Sequence, residues 1–521
     1  MTARFPGAVI AWLLFLSFGL FLSLMTPLGE GLDEPWHFAY VQHVAQNYSV
    51  PLGNSKFVSS EIDEYLRHHP GSWALHTNFP EVQSYEEYWS QPEENRTSMD
   101  RTVSDLRFSG TFKEAETALA YQYESHQPPL YYVLTAPIFA VVSRLSSLLT
   151  TFLWIRIWTV LIASLTVPAM WMLSRAVFEE RSLQDSVLLL AVLFPGLYPG
   201  VVRVSNDGLT AALACCTFAA LIEYLKTEQP RYLYALAALL VAGMWTKAFF
   251  IPIVGGSALA LLSLRKWKPT LIILLMSLAG LPWYIVNYRF SGALTGLPET
   301  VIDKITPGMT IQAVWKLDWL NLARVLRSSH IWIGNWSLLD VRRWWYLIIF
   351  WLFVIALLGF IRKPRKFSAR TVRPLLLIYF GILAALVYYA TQVFVHKGVT
   401  AAEGWYLTSF IPIEAVLFVA GADALLGSRA KWLTALLGLF CLALTVYGAG
   451  FVALPYYSGL IHHNPSGTVT SFYPSLSNLP LMTSRLLRYF PAMPRFLPWL
   501  LLLNAIVIGI IRIAKVCRRD V

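Results

Sequence analysis

The sequence predicts an all-α membrane protein whose chain crosses the bilayer many times. Of its 521 residues, 56% are hydrophobic and only 14% are charged, whereas soluble globular chains carry roughly a quarter charged residues. The mean hydropathy is +0.54, and long apolar runs recur along the chain between short polar segments. The length that a helix needs to span a bilayer gives about a dozen transmembrane helices.

The first apolar run, 8–25, is followed by a long polar segment that we expect to fold outside the membrane. Residues 27–125 hold 16 of the 30 acidic residues and only 6 of the 41 basic ones. We find no convincing cleavage signal after the run, so we interpret it as a retained anchor. The segment predicts a large first outer loop that carries interfacial helices.

The apolar stretch 128–149 is close to the lower limit for a span, and it either crosses the bilayer or lies in its interface. If it does not cross, and the N-terminus is cytoplasmic, the basic clusters at 265–268, 362–373 and 429–431 and the C-terminal tail all face the cytoplasm. The positive-inside rule therefore favours the interfacial alternative.

This topology divides the chain into five segments. They are the first transmembrane helix (1–26), the first outer loop (27–152), the catalytic transmembrane helices (153–288), the second large outer loop (289–343) and the C-terminal transmembrane helices (344–521).

The net charge of +11 does not indicate nucleic acid as a partner, because the basic residues stand in short clusters between apolar runs. The four cysteines have neither metal-ligand spacing nor the pattern of a disulfide framework. We expect the bilayer as a partner, no metal ligand set and no cofactor.

Two adjacent acids, Asp33 and Glu34, stand where the first span leaves the membrane. A helix that begins near Pro35 would bring Asp33 and His37 together on one face, because they are four residues apart. Carboxylate and imidazole groups at such a position are the parts of a general-base site. The alternative is a solvated helix start, where acids are common.

Further candidates stand at the ends of later apolar runs. Asp207 either caps a helix or belongs to a site, and Arg203 either binds an anion or reaches to the membrane surface. Lys247 separates two short apolar runs, and an ionisable residue at such depth indicates function. Arg289 suits a phosphate or serves as an interfacial anchor.

His126 precedes two prolines and is either a site residue or a surface histidine, and His396 and Lys397 lie in a short turn that is polar in any case. The favoured topology puts all these candidates on the outer side of the membrane. We therefore predict Asp33, Glu34 and Asp207 as catalytic residues, and we predict a substrate-binding set of His37, His126, Arg203, Lys247, Arg289, His396 and Lys397.

In order along the chain, these motifs resemble the GT-C superfamily of membrane glycosyltransferases. The closest branch holds protein O-mannosyltransferases and lipid A aminoarabinose transferases. The residues that carry the resemblance are Asp33-Glu34, the His126-Gln127-Pro128-Pro129-Leu130 element, Arg156 with Arg175 and Phe178, Asp207, Thr246-Lys247 and Pro282-Trp283-Tyr284. Gln127 is an insertion relative to the family element, and Trp405 stands where many relatives have arginine.

The resemblance implies a GT-C-like bundle and an inverting transfer, outside the cytoplasm, of a sugar from a polyprenyl-phosphate donor to a lipid, glycan or protein acceptor. It implies Asp33 as general base with Glu34 as its support, and His126 and Lys247 at the donor phosphate. The alternatives are a lipid or glycolipid flippase or transporter, which would place charges at mid-membrane and often show repeats, and a ligase or polymerase of another membrane fold. The early motifs disfavour the latter.

Overall fold

The computed structural model describes residues 6–52, 57–114, 119, 122–297, 306–363, 368, 370–464, 468–475 and 477–518. Part of one predicted basic cluster (364–367 and 369) and residue 519 of the basic tail lie outside these residues. Within them the secondary structure consists of α-helices, 3-10 helices and one π segment, apart from one antiparallel pair of short strands in the first outer segment. These strands are β1 (Phe57–Ser59) and β2 (Phe112–Glu114), in which Val58 is paired with Lys113.

The first half of the chain forms sixteen helices. They are α1 (Pro6–Met25), α2 (Glu34–Asn47), α3 (Ser60–His68), α4 (Trp73–Asn78), α5 (Tyr85–Ser90), α6 (Glu93–Asp105), α7 (Leu130–Val142), α8 (Leu148–Ser164), α9 (Thr166–Val177), α10 (Arg181–Leu193), α11 (Tyr198–Val201), α12 (Asp207–Thr227), α13 (Pro230–Met244), α14 (Phe250–Ser263), α15 (Trp267–Ser277) and α16 (Pro282–Ser291).

The second half of the described chain forms nine more. They are α17 (Pro307–Lys316), α18 (Trp319–Ile331), α19 (Arg343–Arg362), α20 (Val372–Lys397), α21 (Ile411–Leu426), α22 (Ala430–Tyr447), α23 (Leu454–Tyr457), α24 (Asn478–Leu486) and α25 (Leu497–Arg518). Short 3-10 segments include Tyr123–His126 before α7 and Gly404–Phe410 before α21.

Among the described residues, seven helices are long and apolar enough to cross a membrane, and the number rises to nine if each of two bent helix pairs is one span. Three shorter apolar helices, α7, α13 and α14, fall below this criterion. The helical membrane class is thus confirmed, whereas the count of twelve spans and the five-segment division stay predictions.

The apolar stretch after His126 folds as α7, which has 13 residues. At about 1.5 Å per residue it is roughly 20 Å long, shorter than the roughly 30 Å hydrocarbon core of a bilayer. A straight α7 is therefore too short to cross the core unaided, which favours the interfacial alternative.

Two packed cores determine where the candidate residues meet. The larger core joins the long helices, and α12 packs against α8, α9 and α13 within it. The smaller one lies under the first outer segment, where α2 packs on α7 and where aromatic side chains such as Phe38, Tyr40, Tyr132 and Phe152 are buried. The candidate site lies where the end of α1, the start of α2 and the start of α12 come together.

Candidate active site

A buried ion pair joins the first outer segment to α8. The Nε of Arg156 donates to Oε1 of Glu34 at 2.7 Å, and Nη2 of the same guanidinium donates to Oε2. The backbone N–H groups of Gly29, Gly31 and Val204 donate to the same carboxylate at 3.0, 3.3 and 2.9 Å. Glu34 thus accepts five hydrogen bonds, although a carboxylate offers about four lone-pair positions.

Arg156 also binds the backbone at the point where α1 ends. It donates to the carbonyl oxygens of Ser23, Thr26 and Pro27 at 3.1, 2.7 and 2.9 Å. Its guanidinium is almost completely buried, as is the carboxylate of Glu34. Both oxygens of Glu34 are therefore used in holding the loop, which favours a positioning role over the predicted catalytic one.

Asp33 occupies the N-cap position of α2 in a left-handed conformation, with φ 56° and ψ 12°. This region is unfavourable for a residue with a side chain, and such strain is concentrated at functional sites. The carboxylate makes no capping hydrogen bond to the helix and is half-buried. It is therefore not a routine helix cap.

Asp207 is the centre of a buried charge cluster. Its Oδ2 accepts from Nη2 of Arg203, and its Oδ1 accepts from Nζ of Lys247. Two cations share one carboxylate, so the cluster has an excess positive charge next to Asp33. Arg203 also donates to the carbonyl oxygen of Leu32, which fixes the residue before Asp33. The carboxylate of Asp207 is used by these cations, which favours the site alternative over a cap.

Asn206, the neighbour of Asp207, makes hydrogen bonds that connect the start of α12 to the proline motif and to the segment before Lys247. The Nδ2 of Asn206 donates to Oε1 of Gln127 at 3.1 Å and to the carbonyl oxygen of Thr246 at 2.8 Å. Gln127 is the inserted residue of the proline motif, and Thr246 precedes Lys247. The motifs that are far apart in the sequence thus meet at the start of α12.

Gly31 permits the close approach of the first loop to Arg203. A Cβ at this position would lie 2.6 Å from the Cβ of Arg203 and 3.2 Å from Oε2 of Glu34. Any side chain at residue 31 would therefore push the loop away from the cationic cluster.

His37 does not pair with Asp33, in contrast to the sequence-based expectation. Its Nδ1 lies 2.7 Å from the hydroxyl of Tyr132, and its Nε2 lies 3.7 Å from Oε2 of Glu124. The reason is the left-handed backbone at Asp33, which takes this residue off the helical spiral on which four-residue spacing brings side chains together. His37 is thus a buried neighbour of a second carboxylate.

Sequence reasoning missed Glu124, the second carboxylate. It is buried in the 3-10 segment before the proline motif, and its charge acts on Asp33. The available signal was an acid two residues before His126, in a stretch that leads into an apolar helix. Together Asp33 and Glu124 form a carboxylate pair next to the cationic cluster.

Burial raises the pKa of Asp33 to about 7, and the charge of Glu124 contributes to the rise. Burial also raises the pKa of Glu124 to about 7, against the opposing charge of Lys247. For His37, burial lowers the pKa well below its usual value, and the charges of Arg203 and Lys247 lower it further. The imidazole is therefore neutral at pH 7, and the two carboxylates titrate near neutrality.

His126 is held by its backbone and by its ring. Its carbonyl oxygen accepts from Trp283 and Asn287, both at 2.9 Å, and its Nδ1 lies 2.8 Å from the carbonyl oxygen of Tyr123. Its charge acts on Asp33. The structure therefore brings His126 to the cluster and links it to the Pro282-Trp283-Tyr284 motif.

The three remaining candidates lie at the ends of other helices. Arg289 is exposed in the last turn of α16, which favours its interpretation as an interfacial anchor. His396 and Lys397 form the C-terminal end of α20, and Lys397 is exposed. None of the described contacts of the Asp33 and Asp207 cluster involves these residues, and their substrate-binding role stays a prediction.

The described residues include no group of three or more His, Cys, Asp or Glu side chains arranged to hold a metal ion. What the cluster offers is a carboxylate with a pKa near neutrality beside a cationic centre. Such a pair can accept a proton while it stabilises an anion.

The model of one family, DUF2142, described as a predicted membrane protein, matches residues 15–416. The chain belongs to this family. Membership in DUF2142 agrees with the several candidate membrane spans, and the match includes every candidate residue from Asp33 to Lys397. No curated protein matches the chain.

Among solved structures, this DUF2142 protein is similar to ArnT from Cupriavidus metallidurans, which was crystallised bound to undecaprenyl phosphate. The similarity covers 98% of this chain and 74% of that chain, with 14% sequence identity and a TM-score of 0.46. A similarity of this size assigns no role to any residue.

Replacement of Glu34 by alanine is expected to destabilise the protein severely. The substitution leaves the guanidinium of Arg156 buried without a carboxylate, which costs roughly 3–5 kcal/mol. Thermal unfolding of the purified protein in detergent measures the loss. Glu94→Ala, at an exposed position of α6, is the matched control and should unfold like the wild type.

The double variant Glu34→Ala/Arg156→Ala should lose less stability than the sum of the two single variants, because each single change strands the other partner. Additive losses would show that the ion pair is not the anchor.

Proposed function

We propose that this protein is a membrane glycosyltransferase that moves a sugar from a polyprenyl-phosphate-linked donor to an acceptor hydroxyl on the extracytoplasmic side of the membrane. The observation that carries the proposal is the position of the Asp33 carboxylate beside the cationic cluster of Arg203, Asp207 and Lys247. The ordered motifs that resemble GT-C transferases support it.

In the proposed reaction, Asp33 accepts the proton of the acceptor hydroxyl as the oxygen attacks the anomeric carbon. The bond between that carbon and the phosphate oxygen breaks, and the lipid phosphate leaves with the electron pair. A single displacement of this kind inverts the anomeric configuration. Asp33 must be ionised to act. Burial raises its pKa to about 7, which suits a general base at neutral pH.

Arg203 and Lys247 would bind the phosphate of the donor. Asp207 holds both cations in place before the donor arrives, which lowers the cost of organising them during the reaction. Nε of Arg203 is buried without an acceptor among the described residues, so the cluster keeps a donor for an anionic group. His126, whose charge acts on Asp33, and His37, which lies against Glu124, would contact the sugar.

The experiment that tests the function uses the purified full-length protein in detergent. A radiolabelled polyprenyl-phosphate sugar is supplied together with a panel of lipid, glycan and peptide acceptors, and labelled product is measured. Transfer that depends on the protein would support the proposal. Movement of the donor across a reconstituted bilayer without any transfer would favour a carrier.

The variant Asp33→Asn should reduce transfer by roughly 10²–10⁴-fold, because the amide cannot accept the proton. Size-exclusion chromatography should show that the variant folds like the wild type. Asp105→Asn, at an exposed position, is the matched control and should be fully active. Wild-type activity in Asp33→Asn would rule out the base role.

Transfer should increase with pH through about 7, because Asp33 acts in its ionised form and burial raises its pKa to about 7. The charge of Glu124 contributes to that rise, so Glu124→Gln should shift the acidic limb of the pH profile to lower pH. Rates measured between pH 5 and 9 check both statements. A shift to higher pH in Glu124→Gln would contradict the proposed coupling.

Loss of the Lys247 charge should weaken donor binding roughly tenfold or more, since charge-assisted hydrogen bonds contribute about 1.5–3 kcal/mol. The KM for the donor should therefore rise in Lys247→Gln and rise less in Lys247→Arg, which keeps the charge. Lys268→Gln, at an exposed position in a basic cluster, should leave the KM unchanged. Equal KM values in all three variants would remove Lys247 from the donor site.

A further inference from the structure

Three guanidinium groups surround one tryptophan at a place distant in the sequence from the candidate active site. The Cζ atoms of Arg485, Arg96 and Arg488 lie 4.4, 5.2 and 5.6 Å from the ring centroid of Trp89. The indole is itself fixed, because its Nε1 donates to the carbonyl oxygen of Tyr457 at 2.9 Å. The cluster joins α5 and α6 of the first outer segment to α24.

One of these cations is neutralised. Nε of Arg488 donates to Oδ1 of Asp100 at 3.1 Å. The same oxygen also accepts the hydroxyls of Tyr88 and Tyr489, at 2.8 and 2.6 Å. Oδ1 of Asp100 thus holds Arg488, and this carboxylate balances one of the three charges.

Arg96 and Arg485 have no carboxylate partner among the described residues. Nε of Arg96 is buried and has no acceptor there, whereas Arg485 donates to the carbonyl oxygen of Ser458. Burial lowers the pKa of Arg485, and the charge of Arg96 lowers it further. Two like charges are therefore held close together in a partly buried place.

Nearby acids do not relieve this repulsion. Glu86 of α5 accepts from His463 and from the hydroxyl of Tyr456, both at 3.0 Å. Glu93 and Glu94, at the start of α6, are exposed. A buried donor without an acceptor beside an unneutralised cation is the arrangement that an oxyanion completes.

The surroundings of the arginines indicate whether the anion comes from water or from the membrane. Most side chains of α6 are polar and exposed, so this face suits an aqueous ligand better than a lipid headgroup. Arg488 and Tyr489 also line a small cleft whose other walls include Pro27 and Leu28. These two residues belong to the loop that leads to Asp33.

We propose that Arg96 and Arg485 form a binding site for a phosphate group carried by a water-exposed glycan acceptor. This inference rests on the proposed function and extends it, because it assigns an anionic class to the acceptor. The site would hold the acceptor on the first outer segment, the same segment that carries Asp33.

The test is calorimetric titration of the full-length protein in detergent with sodium tripolyphosphate. We expect saturable binding that weakens as salt is added. Arg96→Gln and Arg485→Gln should each weaken it roughly tenfold, and Arg485→Lys should retain more affinity than Arg485→Gln. Arg101→Gln, an exposed arginine of α6, is the matched control and should bind like the wild type.

The absence of saturable binding, or equal affinity in the wild type and both glutamine variants, would overturn the proposal. Binding to nanodiscs that contain phosphatidylglycerol, without binding to tripolyphosphate, would assign the site to lipid and would also overturn it. Asp33→Asn should bind tripolyphosphate normally. A failure of the proposed transfer reaction is therefore distinguishable from a failure of this anion site.

Discussion

The buried ion pair of Glu34 and Arg156 is the interaction on which the rest of the site depends. The hydrogen-bonding groups of this pair come from the end of α1, from the first outer loop, from α8 and from the segment before α12. Burying two charges is costly unless nearly every donor and acceptor is used, and here the carboxylate is saturated. The protein therefore folds stably only when the first outer loop adopts this geometry around the pair.

The second constraint is the uneven charge around Asp207. One carboxylate holds two cations, so the cluster is organised without being neutral. This arrangement suits a site that must bind a negatively charged group and release it again. A fully compensated pair, such as the one between Glu34 and Arg156, stabilises the fold and has no capacity left for a ligand.

The position of Asp33 follows from these two anchors. On one side of Asp33, Glu34 is held by its ion pair. On the other side, Arg203 donates to the carbonyl oxygen of Leu32. The left-handed backbone between these two contacts is a local strain of order 1–3 kcal/mol that the surrounding contacts offset. The carboxylate of Asp33 consequently makes no hydrogen bond to the helix and lies beside Glu124. Burial raises the pKa of both carboxylates to about 7.

The sequence by itself determined the class of protein and singled out several of the residues that meet, among them Asp33, Glu34, Asp207 and Lys247. Apolar run length fixes membrane helices because the hydrocarbon core has a defined thickness, and isolated charges such as Asp33, Asp207 and Lys247 are expensive near a bilayer unless they have partners. Only the tertiary structure decided which residues are the partners of these charges. It assigned Arg156 to Glu34, moved His37 from Asp33 to Tyr132, brought Glu124 into the cluster and left Arg289, His396 and Lys397 at separate helix ends. Spacing along a chain specifies neighbours within one helix, whereas contacts between segments depend on loop conformations, such as the left-handed turn at Asp33, that no periodic pattern encodes.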